Sequence, residues 1–448
     1  MLIMDESRFR DLVKQVMALA DGTAVELLLA TQTEGLTRFG NNVVTQHIET
    51  GNHELVIRVL QGKRQGRAGC NQFDRPTLER TVKKAVRIAS VQRVDPSLLP
   101  FPEPQEYRPL SHFVPATPAA TPDEKVERIR RAIGPCKKKR TTAAGIFSNG
   151  MQAVGMANSN GLFAYNAYSS AGFSVTVMAR DGSGWADATQ PDIHDVHPEQ
   201  LTAVALEKAL AGRNPKSLPP GEYDVILEPA AVAELLLFMA WEGFGALPYL
   251  EGRSFVSGKL GQKVLGANVT IMDDVYHHQT LGLNFDYEGM PRKRVVLVDH
   301  GIAKAVVHDR KTAKESGMKS TGHALPLPNT NGPMPLNLML AGGDSSLDEM
   351  IAGTDRGLLI THFHYTNILD PITLMITGMT RDGVFLVEKG KIKHPVKNFR
   401  FTESVVKAFN RVEALGRETV YAHAFWGGGI VCPAAKIRGF NFSSATRF

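Results

Sequence analysis

The chain has 448 residues, of which 43% are hydrophobic and 21% are charged, and its formal net charge is +6. This composition is typical of a globular protein, and the length exceeds the roughly 250–300 residues that one hydrophobic core supports. No apolar run reaches the roughly 20 residues that span a bilayer. The mild positive charge is not arranged as the basic, aromatic-rich surface of a nucleic-acid-binding module. We therefore expect two or three domains and no membrane or nucleic-acid partner.

The cysteines and the first residues both bear on location. The three cysteines lie far apart and form no C-x-x-C pair for zinc or redox chemistry. The first 20 residues have the charge pattern of an amphipathic helix and lack the apolar core of a signal peptide. Both features predict a cytoplasmic protein with reduced cysteines.

The first predicted unit spans residues 1–95 and resembles a compact α/β domain. Its apolar spacing predicts helices over 5–20 and 75–90, and strands over 25–30, 42–48 and 53–60. Glycines predict turns at Gly35, Gly40, Gly51 and Gly62. Eight prolines then predict an extended linker without regular structure over residues 96–122.

The second predicted unit spans residues 123–218 and is rich in hairpins. Helices are predicted over 121–133 and 198–211, and strands over 142–147, 151–157, 161–169 and 173–179. Asn-Gly pairs predict turns at Asn149-Gly150 and Asn160-Gly161. A Pro-Pro pair within 216–221 marks its end.

The third predicted unit, residues 222–448, holds an extended antiparallel sheet and one buried helix. We predict a strand over 223–227, a meander over 372–403 with turns at 381–383 and 389–390, a helix over 404–415, and a last strand over 431–442. The fold class that follows is α+β, since strands and helices do not alternate as βαβ units.

The buried helix is the most apolar element of the chain. Pro229 suits its first position, where a missing N–H costs nothing, and Gly243 and Gly245 indicate its end. The helix is apolar on every face, which predicts a place in the core of the largest unit.

Two histidines form a candidate metal site. His362 and His364 lie two residues apart in a predicted strand, so both side chains point to one face. Such a pair binds a metal when a neighbouring strand supplies a third ligand. The alternative is a pair of half-exposed strand residues without a ligand role.

The third unit resembles the TldD/PmbA (TldD/TldE) family, whose members are metallopeptidase-related and are also described as modulators of DNA gyrase. The resemblance covers nearly the whole chain. It is most specific at residues 251–255 (EGRSF), 285–289 (FDYEG), 320–324 (STGHA), 376–383 (ITGMTRDG), 395–398 (PVKN), 400–404 (RFTES) and 438–442 (RGFNF).

The resemblance implies a protein of peptide processing. Family members act on peptides or unfolded chains as D/E-type partners. The active subunit carries His-Glu-x-x-x-His on a helix, where the two histidines hold zinc and the glutamate activates the metal-bound water. A cysteine near the C-terminus supplies a further ligand in the family.

In this sequence the family motif falls on residues 241–246, at the far end of the buried helix. Trp241 and Ala246 occupy the two histidine positions, whereas Glu242 and Gly245 are retained. Cys432 lies in the region of the family cysteine but directly before Pro433, a proline where other members carry a valine, so we do not assign it the ligand role. Glu242 is either a remnant of the catalytic base or a structural carboxylate that bonds backbone or an arginine.

The sequence thus favours a peptidase-related subunit that lacks the zinc site and needs no cofactor, working as a homodimer or with a homologue that carries the complete motif. One alternative is an active metallopeptidase whose zinc site has moved to His362 and His364, with Glu242 or Cys432. The other is a regulatory module that binds gyrase or another partner without peptide chemistry.

Overall fold

The computed structural model describes residues 4–424 and 428–446. Its strands form two sheets, one of six strands and one of eleven. This architecture confirms the predicted α+β class, with a large, mostly antiparallel sheet in the C-terminal part of the chain.

The six-stranded sheet is antiparallel throughout and has the order β3-β2-β1-β4-β5-β6. Its strands are β1 (Ala24–Gly40), β2 (Val43–Gln61), β3 (Arg64–Cys70), β4 (Thr142–Asn158), β5 (Phe163–Ala179) and β6 (Gly182–Gln190). The helices of this half are α1 (Glu6–Ala20), α2 (Arg75–Val91), α3 (Ala116–Ala119), α4 (Pro122–Lys138) and α5 (Pro198–Ala211). Pairing of β1 with β4 joins the strands of the first two predicted units in one sheet.

The eleven-stranded sheet contains every later strand. These are β7 (Gly221–Leu227), β8 (Ile271–Asp273), β9 (Val295–Asp299), β10 (Ile302–Ala303), β11 (Leu338–Leu340), β12 (Arg356–Asp370), β13 (Met375–Glu388), β14 (Lys391–Pro395), β15 (Phe399–Ser404), β16 (Val412–His423) and β17 (Gly429–Ala445). Its helices are α6 (Pro229–Phe238), α7 (Ala246–Leu250), α8 (Arg310–Glu315), α9 (Leu347–Ala352) and α10 (Val405–Asn410). Strand β7 pairs with both β12 and β17, which closes β17, β15, β13, β12 and β7 into a ring.

Helix α6 is the buried helix that the sequence predicts. Residues 231–238 are all buried, and they share one hydrophobic core with β7, β12, β13 and β17. Glu234 is the polar exception, and its carboxylate accepts a hydrogen bond from Thr366. Gly243 does more than end the helix, because a Cβ there would lie 2.4 Å from the ring of Phe255.

Several predicted turns are wrong. Gly35 lies inside β1, Gly51 inside β2 and Asn149-Gly150 inside β4, so these strands are far longer than predicted. The turn at 381–383 is instead a bulge within β13, where Asp382 and Gly383 have φ values of 52° and 132°. The helix predicted over 404–415 ends at Asn410, because the chain enters β16 at Val412.

Residues 96–115 form no regular strand or helix, yet they contact both the six-stranded sheet and a loop of the C-terminal part of the chain. Asn158 donates a hydrogen bond to the Pro102 carbonyl at 2.8 Å, and the Tyr107 hydroxyl donates to the Gly289 carbonyl at 2.7 Å. None of the helices in the described ranges is long and apolar enough to cross a membrane.

Candidate functional site

The far end of the buried helix changes its winding where the family motif falls. After Phe238 the chain makes one π turn, Met239–Gly243, and the Phe244 N–H donates to the Met239 carbonyl at 3.1 Å. Such wide turns occur often at functional sites. The glycines that predict a simple helix end therefore accompany a local distortion of the helix.

The residues at the two histidine positions are engaged in packing. The Trp241 side chain is 38% exposed and its indole stacks on Phe238, with ring centroids 6.3 Å apart. Ala246 is buried and its N–H donates to the Val307 carbonyl at 2.9 Å. Neither an indole nor a methyl group can ligate zinc.

Glu242 lies beside an arginine. Its side chain is 16% exposed and one carboxylate oxygen is 3.7 Å from a guanidinium nitrogen of Arg253, which also pairs with Glu251 at 2.6 Å. A carboxylate that lies next to a cation in this way is what the structural alternative for Glu242 predicts. Among the described residues, no three His, Cys, Asp or Glu side chains are grouped to hold a metal ion. The residues at the motif positions therefore do not fit a zinc ion.

Cys432 lies on β17 and faces the start of α6. Its thiol is fully buried and donates to the Pro229 carbonyl at 3.2 Å. Burial raises the pKa of this thiol well above its usual range. A metal ligand must be a thiolate, so the environment of Cys432 keeps it in the form that does not bind metal.

His362 and His364 do meet in space, in a cavity of about 300 Å³ that we call the histidine cavity. Its walls come from β5, β6, α6, β12, β13 and β16. The lining residues are Thr176, Trp185, Ala230, Glu234, His362, Phe363, His364, Arg381, Asp382, His423 and Ala424. Neither Glu242 nor Cys432 is among them, so this cavity does not bring the third ligand of the alternative metal site to the two histidines.

His362 is held by three contacts. Its Nε2 lies 3.2 Å from an Asp382 carboxylate oxygen, its Nδ1 lies 3.1 Å from the Phe363 carbonyl, and its ring stacks on Trp185 with centroids 4.5 Å apart. Both ring nitrogens face acceptors, which leaves no lone pair directed at a metal. The left-handed backbone of Asp382 within the β13 bulge brings its carboxylate to this position.

Charge and burial set the protonation of the other groups in the histidine cavity. Burial acts to raise the pKa of Asp382, but the hydrogen bond and charge of His362 outweigh it and hold that pKa below its usual range. Burial, with the neighbouring charges of Arg381 and His362, lowers the pKa of His364. Burial also lowers the pKa of His423, whose Nε2 is hydrogen-bonded to Thr189 at 2.6 Å. The cavity thus offers the neutral imidazoles of His364 and His423, one paired carboxylate and an exposed guanidinium.

Sequence reasoning found two of these residues and missed the rest. Strand alternation was enough to place His362 and His364 on one face. Asp382 stands in a segment that we assigned to a turn, and its role follows from the bulge. Trp185 and His423 lie in distant segments, and no local spacing links them to β12.

Comparison with known proteins agrees with this architecture. The sequence profile of the PmbA/TldA metallopeptidase C-terminal domain matches residues 220–444, and that of the central domain matches residues 116–213. The metalloprotease PmbA of Escherichia coli O157:H7 is 25% identical over 446 residues, covering 94% of this chain and 93% of its own. A metalloprotease TldD homologue of Buchnera aphidicola is 24% identical over 405 residues, covering 82% and 81%.

Crystal structures show the same fold. A Thermotoga maritima protein described as a modulator of a DNA gyrase superposes with a TM-score of 0.87 at 23% identity, covering 97% of this chain and all of that one. TldE from Thermococcus kodakarensis superposes with a TM-score of 0.87 at 20% identity, covering 97% and 99%. The profile matches and the relatives together show that this chain belongs to the PmbA/TldD metallopeptidase family.

Proposed function

We propose that this chain is a peptide-processing subunit of its family that lacks the His-Glu-x-x-x-His zinc site. It contributes substrate-binding surface and assembly contacts, as a homodimer or beside a homologue that carries the complete motif. Its substrate is a peptide or an unfolded chain. The observation that carries the proposal is the end of the buried helix, where Trp241 and Ala246 pack against protein and Glu242 lies beside Arg253.

The two replaced histidines are not the only difference between this arrangement and a zinc site, because the surroundings of a zinc site are missing as well. A catalytic zinc needs three protein ligands and an open position for water, and the histidine ligands need a second hydrogen-bonded shell. Here the indole of Trp241 covers Phe238, and Ala246 is sealed in the hydrophobic core. Replacement of these two residues alone would therefore not recreate the supporting shell.

The retained scaffold supports a binding role. The histidine cavity lies between the six-stranded sheet and the C-terminal core, and it presents stacked rings, a guanidinium and imidazoles to a ligand. Relatives over most of the chain are named metalloproteases, and one structural neighbour is named TldE. A subunit that keeps the fold and loses the metal ligands is suited to hold substrate while a partner performs hydrolysis.

A single purification tests the proposal. We expect the tagged chain, isolated from its native host, to contain substoichiometric zinc by elemental analysis. We also expect it to elute as a homodimer or in complex with a homologue that carries His-Glu-x-x-x-His. Addition of that homologue should be required for metal-dependent cleavage of a flexible peptide.

Two outcomes would overturn it. Stoichiometric zinc that is lost in His362→Ala or His364→Ala, but kept in the exposed control His194→Ala, would establish a relocated metallopeptidase site. Recovery of gyrase with no family partner, together with no effect on peptide cleavage, would establish a regulatory module instead.

A further inference from the structure

A second cavity adjoins the histidine cavity on the other side of Trp185 and Ala230. Its volume is about 360 Å³, and its walls are strand β6, helix α5, the start of α6 and strand β16. We call it the Asp187 cavity. No family motif that we identified in the sequence contributes to its walls.

Strand β6 supplies the polar group of this cavity. It is the edge strand of its sheet, and Trp185, Asp187 and Thr189 alternate along it so that their side chains share one face. Trp185 donates a hydrogen bond to Ser174 and stacks on the ring of His362. Thr189 is hydrogen-bonded to His423. Within the described ranges, the carboxylate of Asp187 has no hydrogen-bond or ion-pair partner.

The other charged groups on the cavity wall neutralise one another. Lys208 of α5 pairs with Glu228, just before α6, at 2.5 Å. The side-chain amide of Gln279 donates to the Thr419 carbonyl at 2.6 Å and accepts a hydrogen bond from the Thr419 hydroxyl at 2.8 Å. Tyr421 of β16 stays neutral, since burial raises the pKa of its hydroxyl to about 12. Among the described residues that line the Asp187 cavity, Asp187 is therefore the acidic group without a counter-charge.

An unpaired carboxylate in such a place is costly for the folded protein. Burial raises the pKa of Asp187 to about 7, which means that the protein stabilises its charge poorly when the cavity is empty. Carboxylates with a raised pKa in a cavity are concentrated at functional sites, where a ligand supplies the missing partner.

We propose that the Asp187 cavity binds the cationic group of an organic ligand, an ammonium or a guanidinium. Asp187 serves as its counter-ion, and the rings of Trp185 and Tyr421 provide aromatic walls of the kind that attract cations. The proposal does not depend on the function proposed above. Where that function holds, the ligand group is a lysine or arginine side chain of the bound peptide.

The shape of the Asp187 cavity favours an organic cation over a metal ion. One carboxylate is too few ligands for a divalent metal, which requires at least three or four protein donors or ordered waters. The cavity volume far exceeds that of an ion. At its rim Val204 and Val420 are each 45% exposed, which suits contact with the alkyl part of a basic side chain.

Calorimetric titration of the full chain tests this site with matched probes. N-acetylarginine amide and N-acetyllysine amide each carry a side-chain cation, and N-acetylcitrulline amide is the neutral counterpart of the arginine probe. We expect the two cationic probes to bind and the citrulline probe to bind at least tenfold more weakly. Their affinity should rise about tenfold from pH 6 to pH 8, because Asp187 loses its proton over this interval.

Variants separate the role of Asp187 from general charge effects. Asp187→Asn should weaken binding of the arginine probe at least tenfold and remove its pH dependence, and Glu207→Gln, an exposed change of equal charge on α5, should leave both unchanged. His423, next to the cavity, does not mimic this profile, because burial lowers the pKa of its imidazole. Equal binding of arginine and citrulline probes, full binding by Asp187→Asn, or no binding of either cation at any pH would overturn the proposal.

Discussion

Two ionisable side chains, the buried Lys125 and the half-buried Asp187, illustrate how single residues are used in this fold. Burial lowers the pKa of Lys125 to about 8, but its ammonium still donates to the Gly35 carbonyl at 3.0 Å and to the Asn149 side chain. Asp187 has no such partners in the described chain, and burial is the one cause that raises its pKa to about 7. The ammonium of Lys125 thus stabilises the packing of the sheet, whereas the carboxylate of Asp187 is the group that we propose binds a ligand.

Asp187→Asn should stabilise the protein at neutral and alkaline pH. In the folded state Asp187 keeps its proton up to about pH 7, whereas in the unfolded chain it loses the proton near pH 4. The folded state therefore binds more protons between these values, so the free energy of unfolding falls as pH rises through this window. A shift from 3.8 to about 7 corresponds to roughly 4 kcal/mol, at about 1.4 kcal/mol per unit.

Denaturant titration at pH 5 and pH 8 measures this effect. We expect Asp187→Asn to exceed the parent in stability by more at pH 8 than at pH 5, and Glu207→Gln to match the parent at both. A variant that is less stable than the parent at pH 8 would show that Asp187 has a stabilising partner.

Among the elements, the sequence predicts the long helices α1, α2, α4 and α5 well and the long strands poorly. The apolar period fixes helix α5 at residues 198–211, as predicted, because a helix depends on contacts within its own sequence. Strands β1 and β4 were each divided by a predicted turn, at Gly35 and at Asn149-Gly150. These residues are small for a tertiary reason, since a Cβ at Gly35 would lie 2.8 Å from the Lys125 ammonium. A helix 90 residues away supplies that reason, and no local pattern contains it.

Gly150→Ala tests this explanation against Gly40→Ala. A Cβ at position 150 would lie 2.0 Å from the Thr33 carbonyl oxygen of β1, whereas at position 40 nothing lies within 4 Å. We expect Gly150→Ala to destabilise the protein by roughly 2–3 kcal/mol, as overpacking does. Gly40→Ala should remain within about 0.5 kcal/mol of the parent. Thermal denaturation measures both, and equal effects would contradict a packing role for Gly150.

Only the part of the candidate site that lies on a single strand could be predicted from the sequence. Alternation along β12 placed His362 and His364 on one face, and the helix end at 241–246 followed from the family motif. The partners Trp185, Asp382 and His423 are brought to the histidine cavity by three other strands. Their convergence depends on how the two sheets pack, which is a property of the whole molecule.

The whole molecule also decides which segments fold together. Strand β1 pairs with β4 over residues 26–39 and 145–158, and Phe39 of β1 stacks on Phe173 of β5 with ring centroids 5.7 Å apart. A fragment of residues 123–218 would leave β4 as a long unpaired edge and would lose Phe39 from its core, and such edges promote aggregation. A fragment of residues 1–218 keeps all six strands and both hydrophobic clusters that line them.

We therefore expect the longer fragment, residues 1–218, to be monomeric in size-exclusion measurements and to unfold cooperatively in circular-dichroism measurements. The shorter fragment, residues 123–218, should aggregate. Cooperative unfolding of a monomeric 123–218 fragment would show that the central unit is an independent domain despite the shared sheet.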